Sequence, residues 1–414
     1  IEDAINAIDH ESDNPEYFRL RGWAYYHLEN DDKAIEDANN AINLNSHDFD
    51  YFNLRGRAYY HLKNYNKAIE DFTKAIYLNS NDFDFFNYRG RAYYLLENYD
   101  KAIEDFTKSI NLNSNEPNVF ILRGRAYNHL DKYQQAIEDF TKSINLNSDE
   151  PDVFILRGWA YYHLKNYDKA IEDAINAIDH ESDNPEYFRL RGWAYYCLKN
   201  YDKAIEDANN AINLNSHDYD TFNLRGRAYY CLKNYDKAIE DFTKAINLNS
   251  HDFDYFNLRG RSYYYLKNYN KAIEDATKAI DLNSHDYDNF NLRAWAYYYL
   301  GNYNKAIEDA TKAINLKSDE PTYYQLRAGA RQKLDLEESK EFIIDQYMAD
   351  NLEDIKNYLN EADRYYEDNR IIEAIDYYEK ILSKSNSEIK EILGKDAMIR
   401  INNRILEYRR MINL

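Results

Sequence analysis

The chain has 414 residues, more than one hydrophobic core usually serves, so a divided or repetitive architecture is expected. Its formal net charge of -21 speaks against nucleic-acid binding, which rests on neutralising phosphates, and no apolar run approaches the roughly 20 residues of a membrane span. Two cysteines are too few for a disulfide framework and fit a reducing, cytoplasmic location.

Residues 1–14 read as the second helix of a truncated repeat. They have neither a basic start nor an apolar stretch typical of a secretory signal. Opening without Met inside a repeat, the chain is expected to be a piece of something longer. From Pro15 onward the sequence falls into units of 34 residues that begin at Pro15, Phe49, Phe83, Pro117, Pro151, Pro185, Tyr219, Phe253 and Tyr287. These nine regular repeats cover 15–320. Within each, position 1 is the residue just named, and a first helix is expected over positions 2–14.

In the repeat at Phe49, Tyr51, Phe52, Arg55, Gly56, Ala58, Tyr59 and Leu62 share one arc of the helical wheel. Asp50, Asn53, Arg57, Tyr60 and His61 share the opposite arc. A second helix over positions 17–30 carries Tyr65, Ala68, Ile69, Phe72, Ala75 and Ile76 on one face. Neither helix can bury its apolar side alone, so pairing and stacking are expected. The punctuation agrees: all five prolines stand at position 1, where a helix start tolerates a missing N–H. Elsewhere Asn-Ser-His-Asp supplies capping oxygens to the first helix, and Asn64 and Asn66 supply them to the second.

After the regular array, 321–354 is a degenerate repeat with Lys340 and Ile343 where Ala and Asp are expected. A longer or tilted second helix is expected there, with a kink over 337–354. Residues 355–388 form a divergent repeat and 389–414 a C-terminal capping helix. Residues 1–26 are identical to 171–196, an offset of five repeats, so the array has changed length by copying a block.

Two columns constrain the packing. Eight repeats place Gly at position 8 inside a helix, each costing roughly 0.5–1 kcal/mol relative to Ala. Close approach to the small residues at position 20, such as Ala68 and Ala102, is expected to offset this. Position 7 is Arg on the core arc, from Arg21 to Arg293, and position 23 is Asp, from Asp37 to Asp309. An unpaired buried charge is very costly, so an Arg–Asp bridge between helices is expected, the alternative being an arginine whose head reaches outward. At Ile355 both are lost together, to Glu361 and Tyr377.

Period 34, an aromatic at 4, Gly at 8, Tyr at 11, Ala at 20 and Ala or Ser at 27 together resemble the tetratricopeptide repeat family, here in an Arg-Gly variety. The resemblance implies an all-α, right-handed superhelical solenoid of stacked antiparallel helix pairs. It also implies that the first helices line a concave groove for peptide segments or helices of partner proteins.

On that geometry the columns of the outward arc face the groove. Position 5 offers Asn53, Asn87, Asn223, Asn257 and Asn291, whose amides can bond the main chain of a ligand. Position 9 runs Trp23, Arg57, Arg91, Arg125, Trp159, Trp193, Arg227, Arg261 and Trp295. Position 12 is Tyr60, Tyr94, Tyr162, Tyr196, Tyr230, Tyr264 and Tyr298, rings of the kind that dominate interfaces. Position 2 is acidic in every regular repeat but the one at Pro117, which has Asn118, so the family's Lys/Asn carboxylate clamp is not reproduced, and a mixed, aromatic-rich peptide fits better than an acidic one. The alternative is that these rings only brace neighbouring helices.

No metal, cofactor or catalytic site is expected. The column His27, His61, His129, His163 spaces its side chains too widely for zinc, and a Cys197–Cys231 disulfide is not expected on the same ground. No phosphate loop or nucleophile elbow occurs, and Glu70 with Asp71 point apart on one helix. The sequence therefore reads as a non-enzymatic protein-interaction scaffold for a protein or peptide ligand, with no nucleic-acid or membrane partner. Its alternatives are the sensor or regulatory region of a larger effector, or a rod associating end to end through Ile1, Ile5 and Ile8. A helical-repeat RNA reader is opposed by the charge.

Overall fold

A computed structural model describes residues 13–45, 47–146, 150–337, 339, 341–342, 345–346, 348–350, 357 and 364. The expected half-repeat over 1–14 and the 355–388 and 389–414 segments lie almost entirely outside the described residues, as does half of the expected kink over 337–354. The chain divides into two compact units, Ile1–Ser216 and His217–Leu414.

In the first unit the helices are α1 (Pro15–His27), α2 (Asp31–Leu44), α3 (Phe49–His61), α4 (Tyr65–Leu78), α5 (Phe83–Leu95), α6 (Tyr99–Leu112), α7 (Pro117–His129), α8 (Tyr133–Asn145), α9 (Pro151–His163), α10 (Tyr167–His180), α11 (Pro185–Cys197) and α12 (Tyr201–Leu214). The second unit holds α13 (Tyr219–Cys231), α14 (Tyr235–Leu248), α15 (Phe253–Tyr265), α16 (Tyr269–Leu282), α17 (Tyr287–Tyr299), α18 (Tyr303–Leu316) and α19 (Pro321–Gln332). Within each unit, consecutive helices form antiparallel pairs, and each second helix packs on the first helix of the following repeat. Each unit is an all-α solenoid, and no strand occurs among the described residues.

Local chemistry sets the boundaries. Asp48 Oδ1 accepts from the Asp50 N–H at 2.9 Å at the start of α3, and Asn64 Oδ1 caps α4 through the Lys67 N–H. The turn between paired helices needs a left-handed residue at position 15, and non-glycine residues fill it in most repeats, as at Lys63 with φ 59°. In the repeat at Tyr287 the same place is Gly301, with φ 76°.

Alanines at position 20, including Ala34, Ala68, Ala102, Ala170, Ala238 and Ala306, are fully buried between helices. The nearest neighbours of the position 8 glycines are larger groups than those alanines. A Cβ on Gly56 would stand 3.0 Å from the Phe72 ring, and one on Gly124 would stand 2.6 Å from the Phe140 ring. Where position 24 is Ala instead of Phe, the following repeat's leucine reaches in. A Cβ on Gly22 would meet Leu54 at 2.7 Å, and one on Gly158 would meet Leu190 at 2.6 Å. Phe72 and Leu54 are both fully buried, so two side chains of similar volume fill one kind of hole from opposite sides.

The Arg–Asp bridge forms in all nine regular repeats. In the repeat at Phe83, Arg89 gives Nε to Asp105 Oδ2 and Nη2 to Asp105 Oδ1, each at 2.7 Å. The third nitrogen crosses to the preceding second helix, as Arg89 Nη1 does to Thr73 Oγ1 at 3.0 Å. The alternative of an arginine head reaching outward is therefore not what occurs. The degenerate repeat keeps the bridge despite Ile343: fully buried Asp345 accepts from Arg327 Nη2 at 2.7 Å and also binds Arg331. The acid is displaced by two residues, and its role is preserved.

Candidate interaction surface

The columns singled out from sequence lie on the first helices. In the first unit, Arg57 on α3 is held on three sides. Its Nε donates to Asn53 Oδ1 at 3.0 Å, Nη1 to the Tyr88 hydroxyl at 3.0 Å, and Nη2 to Asp84 Oδ2 at 3.2 Å. Its guanidinium lies 4.1 Å from the Tyr88 ring centroid. Arg91 donates to Asn87 at 3.1 Å. Trp23 and Trp159 donate from Nε1 to the position 2 acid of the following repeat, Asp50 at 3.2 Å and Glu186 at 2.7 Å. Arg125 is exposed, with no hydrogen-bond partner among the described residues. Trp193 packs edge-on against Tyr196, with ring centroids 5.6 Å apart.

Position 12 ties adjacent first helices together through position 13 of the following repeat. The Tyr26 hydroxyl shares a hydrogen bond with His61 Nε2 at 3.0 Å, as Tyr94 does with His129, and the Cys197 thiol lies 3.5 Å from the Tyr162 hydroxyl. Tyr60 packs edge-on against Tyr88, with centroids 5.9 Å apart. In the second unit the partner is another tyrosine: Tyr230 meets Tyr265 and Tyr264 meets Tyr299. Burial pushes the Tyr26 hydroxyl up to about 12. These contacts brace the stack, and the sequence signal for them was the aromatic or His pairing of positions 12 and 13.

The asparagines of position 5 differ most from expectation. Asn53, Asn87, Asn223 and Asn257 are only 6–7% exposed. Three of them hold the arginine one turn later, Arg227 with Asn223 included, at 3.0 Å. Their amides do not face solvent as the wheel suggested, because the following repeat covers them.

At the C-terminal end of the column this pairing breaks. Arg227 still binds Asn223 and Asp254, and burial pushes the Asp254 carboxyl up while Arg227 pulls it down. Asn257, however, gives its amide to Asn289. Arg261 Nε is left buried without a partner, as is Asn291 Oδ1 one repeat on, where position 9 is Trp295. Arg261, Asn291 and Trp295 line a depression of about 240 Å³ together with Tyr264, Tyr265, Asp288 and Leu292. Trp295 also lines a second depression of about 230 Å³, with Tyr298 and Gln325.

No cluster of three or more His, Cys, Asp or Glu side chains able to hold a metal occurs among the described residues. No helix among them is long and apolar enough to cross a membrane.

Comparison with known families identifies the repeats. Three tetratricopeptide repeat families match, the first at 49–82, 83–116 and 219–252, the second at 185–218, 253–286 and 288–319, and the third at 121–185. The matched segments span more than half of the chain, which belongs to the tetratricopeptide repeat family. No curated protein matches the sequence. Solved structures similar to it include YrrB, described as a tetratricopeptide protein with an unusual peptide-binding site, at 23% identity and TM-score 0.38, covering 44% of this chain and 94% of that one. Yeast Tom70 is similar at 15% identity and TM-score 0.42, covering 95% and 96%. The C-terminal part of a repeat protein from Cytophaga hutchinsonii is similar at 21% identity and TM-score 0.48, covering 58% and 98%.

Proposed function

We propose that this protein is a non-enzymatic scaffold that binds a segment of a partner polypeptide on its first-helix face, with Trp295 at the centre of the contact. The observation that carries this reading is the pair of depressions flanking Trp295. At Arg57 the polar ladder is closed on itself, the guanidinium being satisfied by Asn53, Tyr88 and Asp84. A ligand there would have to break existing bonds. Beside Trp295 the protein leaves a donor and an acceptor unmatched next to large rings, and an aromatic in a recess is the usual anchor of an interface.

The test is selection of random short peptides on the immobilised full chain, followed by binding measurements on Trp295→Ala and Arg125→Glu. Trp295→Ala should abolish binding of the selected peptides while the helical circular dichroism is retained at the assay temperature, and Arg125→Glu should leave binding unchanged. Recovery of no binding peptide, or equal binding by Trp295→Ala, overturns the reading.

A further inference from the structure

Arg261 and Asp288 form the loosest ion pair of the position 9 column among the described residues. Their closest atoms are 3.4 Å apart, and 36% and 45% of their side chains are open to solvent. The pair lines the depression shared by Tyr264 and Tyr265 of one first helix and Asn291 and Trp295 of the first helix of the next repeat. Neither the Arg261 Nε–H nor the Asn291 Oδ1 has a protein partner. An unmade hydrogen bond at a buried polar atom is costly, so a small rotation of either side chain toward a suitable ligand is favourable.

We infer that this depression is a subsite for a carboxamide side chain, Gln or Asn, of the bound partner segment; the inference rests on the scaffold reading above. Charge decides against the other polar classes. A carboxylate drawn to Arg261 meets Asp288, and an ammonium drawn to Asp288 meets Arg261, so either sign brings a like-charge contact. A carboxamide accepts from the guanidinium and donates to the carboxylate or to Asn291 Oδ1 without adding charge. A main-chain peptide group serves less well. Being trans, it holds its oxygen and its N–H on opposite edges, whereas a primary amide presents both on one edge. The flat amide also lies against the ring faces of the walls at little conformational cost.

The probe is the set of random peptides selected on the wild-type full chain, resynthesised with each Gln or Asn changed to Glu or Asp. One Gln or Asn position should recur, and its change to the acid should weaken wild-type binding by about tenfold or more, the scale of a like-charge contact. Asp288→Asn should reverse that preference, because Arg261 is then unopposed, and Arg261→Gln should sharpen it, because Asp288 then repels an acid with nothing to offset it. Thermal melting of both variants controls for folding, and Asp288 and Arg261 both have solvent-facing side chains outside the packed core. Peptides that bind but show no carboxamide position, or a preference unmoved by Asp288→Asn, overturn this inference and leave the scaffold reading standing. Failure to select any peptide overturns the scaffold reading and this one with it.

Discussion

Arg89 and Asp105 meet edge to edge, two parallel N–H···O bonds of 2.7 Å between paired helices, with 14% and 4% of their side chains exposed. Nearly dry on the acid side and partly wet on the arginine side, the pair is stable only as a pair. Asp105→Ala leaves a guanidinium facing the core without its partner and should cost about 3 kcal/mol. Replacing both, Arg89→Met with Asp105→Leu, should restore most of that loss. Urea unfolding measures the cost, and hydrogen exchange should place it in the repeat at Phe83 and its neighbours, since stability in such arrays is local. A single variant as stable as wild type would show that the pair contributes nothing.

The glycines of position 8 should not behave alike. A Cβ on Gly124 would sit within 3.0 Å of three atoms of the Phe140 ring, which is locked in the core, so Gly124→Ala should destabilise by about 1–3 kcal/mol through overpacking. On Gly260 the nearest atom is the Leu292 Cδ2 at 3.1 Å, the free end of a flexible side chain. There the gain in helix propensity, up to about 1 kcal/mol, should offset the contact and leave Gly260→Ala neutral or more stable. The protein already carries Ala294 at this position opposite Ala310 and Leu326. Thermal melting of the two variants decides; equal losses would contradict the packing argument.

Much of this architecture was legible because each column repeats. Arg21 to Arg293 and Asp37 to Asp309 run together through every regular repeat, and a charge on a core arc has few ways to be satisfied. The displacement of that role to Asp345 was not legible, because a fixed register looks for its acid at Ile343. The glycine contacts were legible only in part: the Ala34 carbonyl stands 3.5 Å from where a Cβ on Gly22 would be, as the position 20 column suggested, but Leu54 is nearer at 2.7 Å. A wheel gives the direction of a side chain and says nothing of how far Phe72, or Leu54 from the next repeat, reaches into the space. Asn53 read as outward for the same cause: its azimuth is outward, but Arg57 and Asp84 close over it. The break in the ladder at Arg261 depends on which way Asn257 turns its amide, and no periodicity in the sequence encodes that.

Lys63 closes the turn between α3 and α4 with φ 59°, a conformation that L side chains adopt at a cost. Gly301 takes the same place seven repeats later in the sequence at φ 76°, with nothing within 4 Å of where its Cβ would stand. Lys63→Gly should therefore stabilise by roughly 0.5–1 kcal/mol, since relief of the left-handed strain exceeds the added chain entropy of glycine. Gly301→Ala should destabilise by a similar amount. Paired melting curves measure both; opposite signs would mean that the turn is held by contacts of the Lys63 side chain.

Tyrosine ionisation gives the pH dependence a clear sign. Burial, with the neighbouring Tyr88 adding to it, raises the Tyr26 hydroxyl to about 12, and burial likewise raises Tyr324 to about 12, against about 10 for an ordinary tyrosine. The folded protein keeps these protons where the unfolded chain has lost them. Their contribution to stability is thus complete below pH 10 and falls as pH rises toward 12. Alkaline titration followed by phenolate absorbance should show a first group of tyrosines ionising near pH 10 and a second, delayed group rising together with the loss of helical circular dichroism. Tyr26→Phe removes one such proton and should move the unfolding step to higher pH, although it also strips His61 Nε2 of its partner and lowers the melting temperature at neutral pH. A single phase near pH 10 with the helices intact would mean that these hydroxyls reach water more freely than their packing implies.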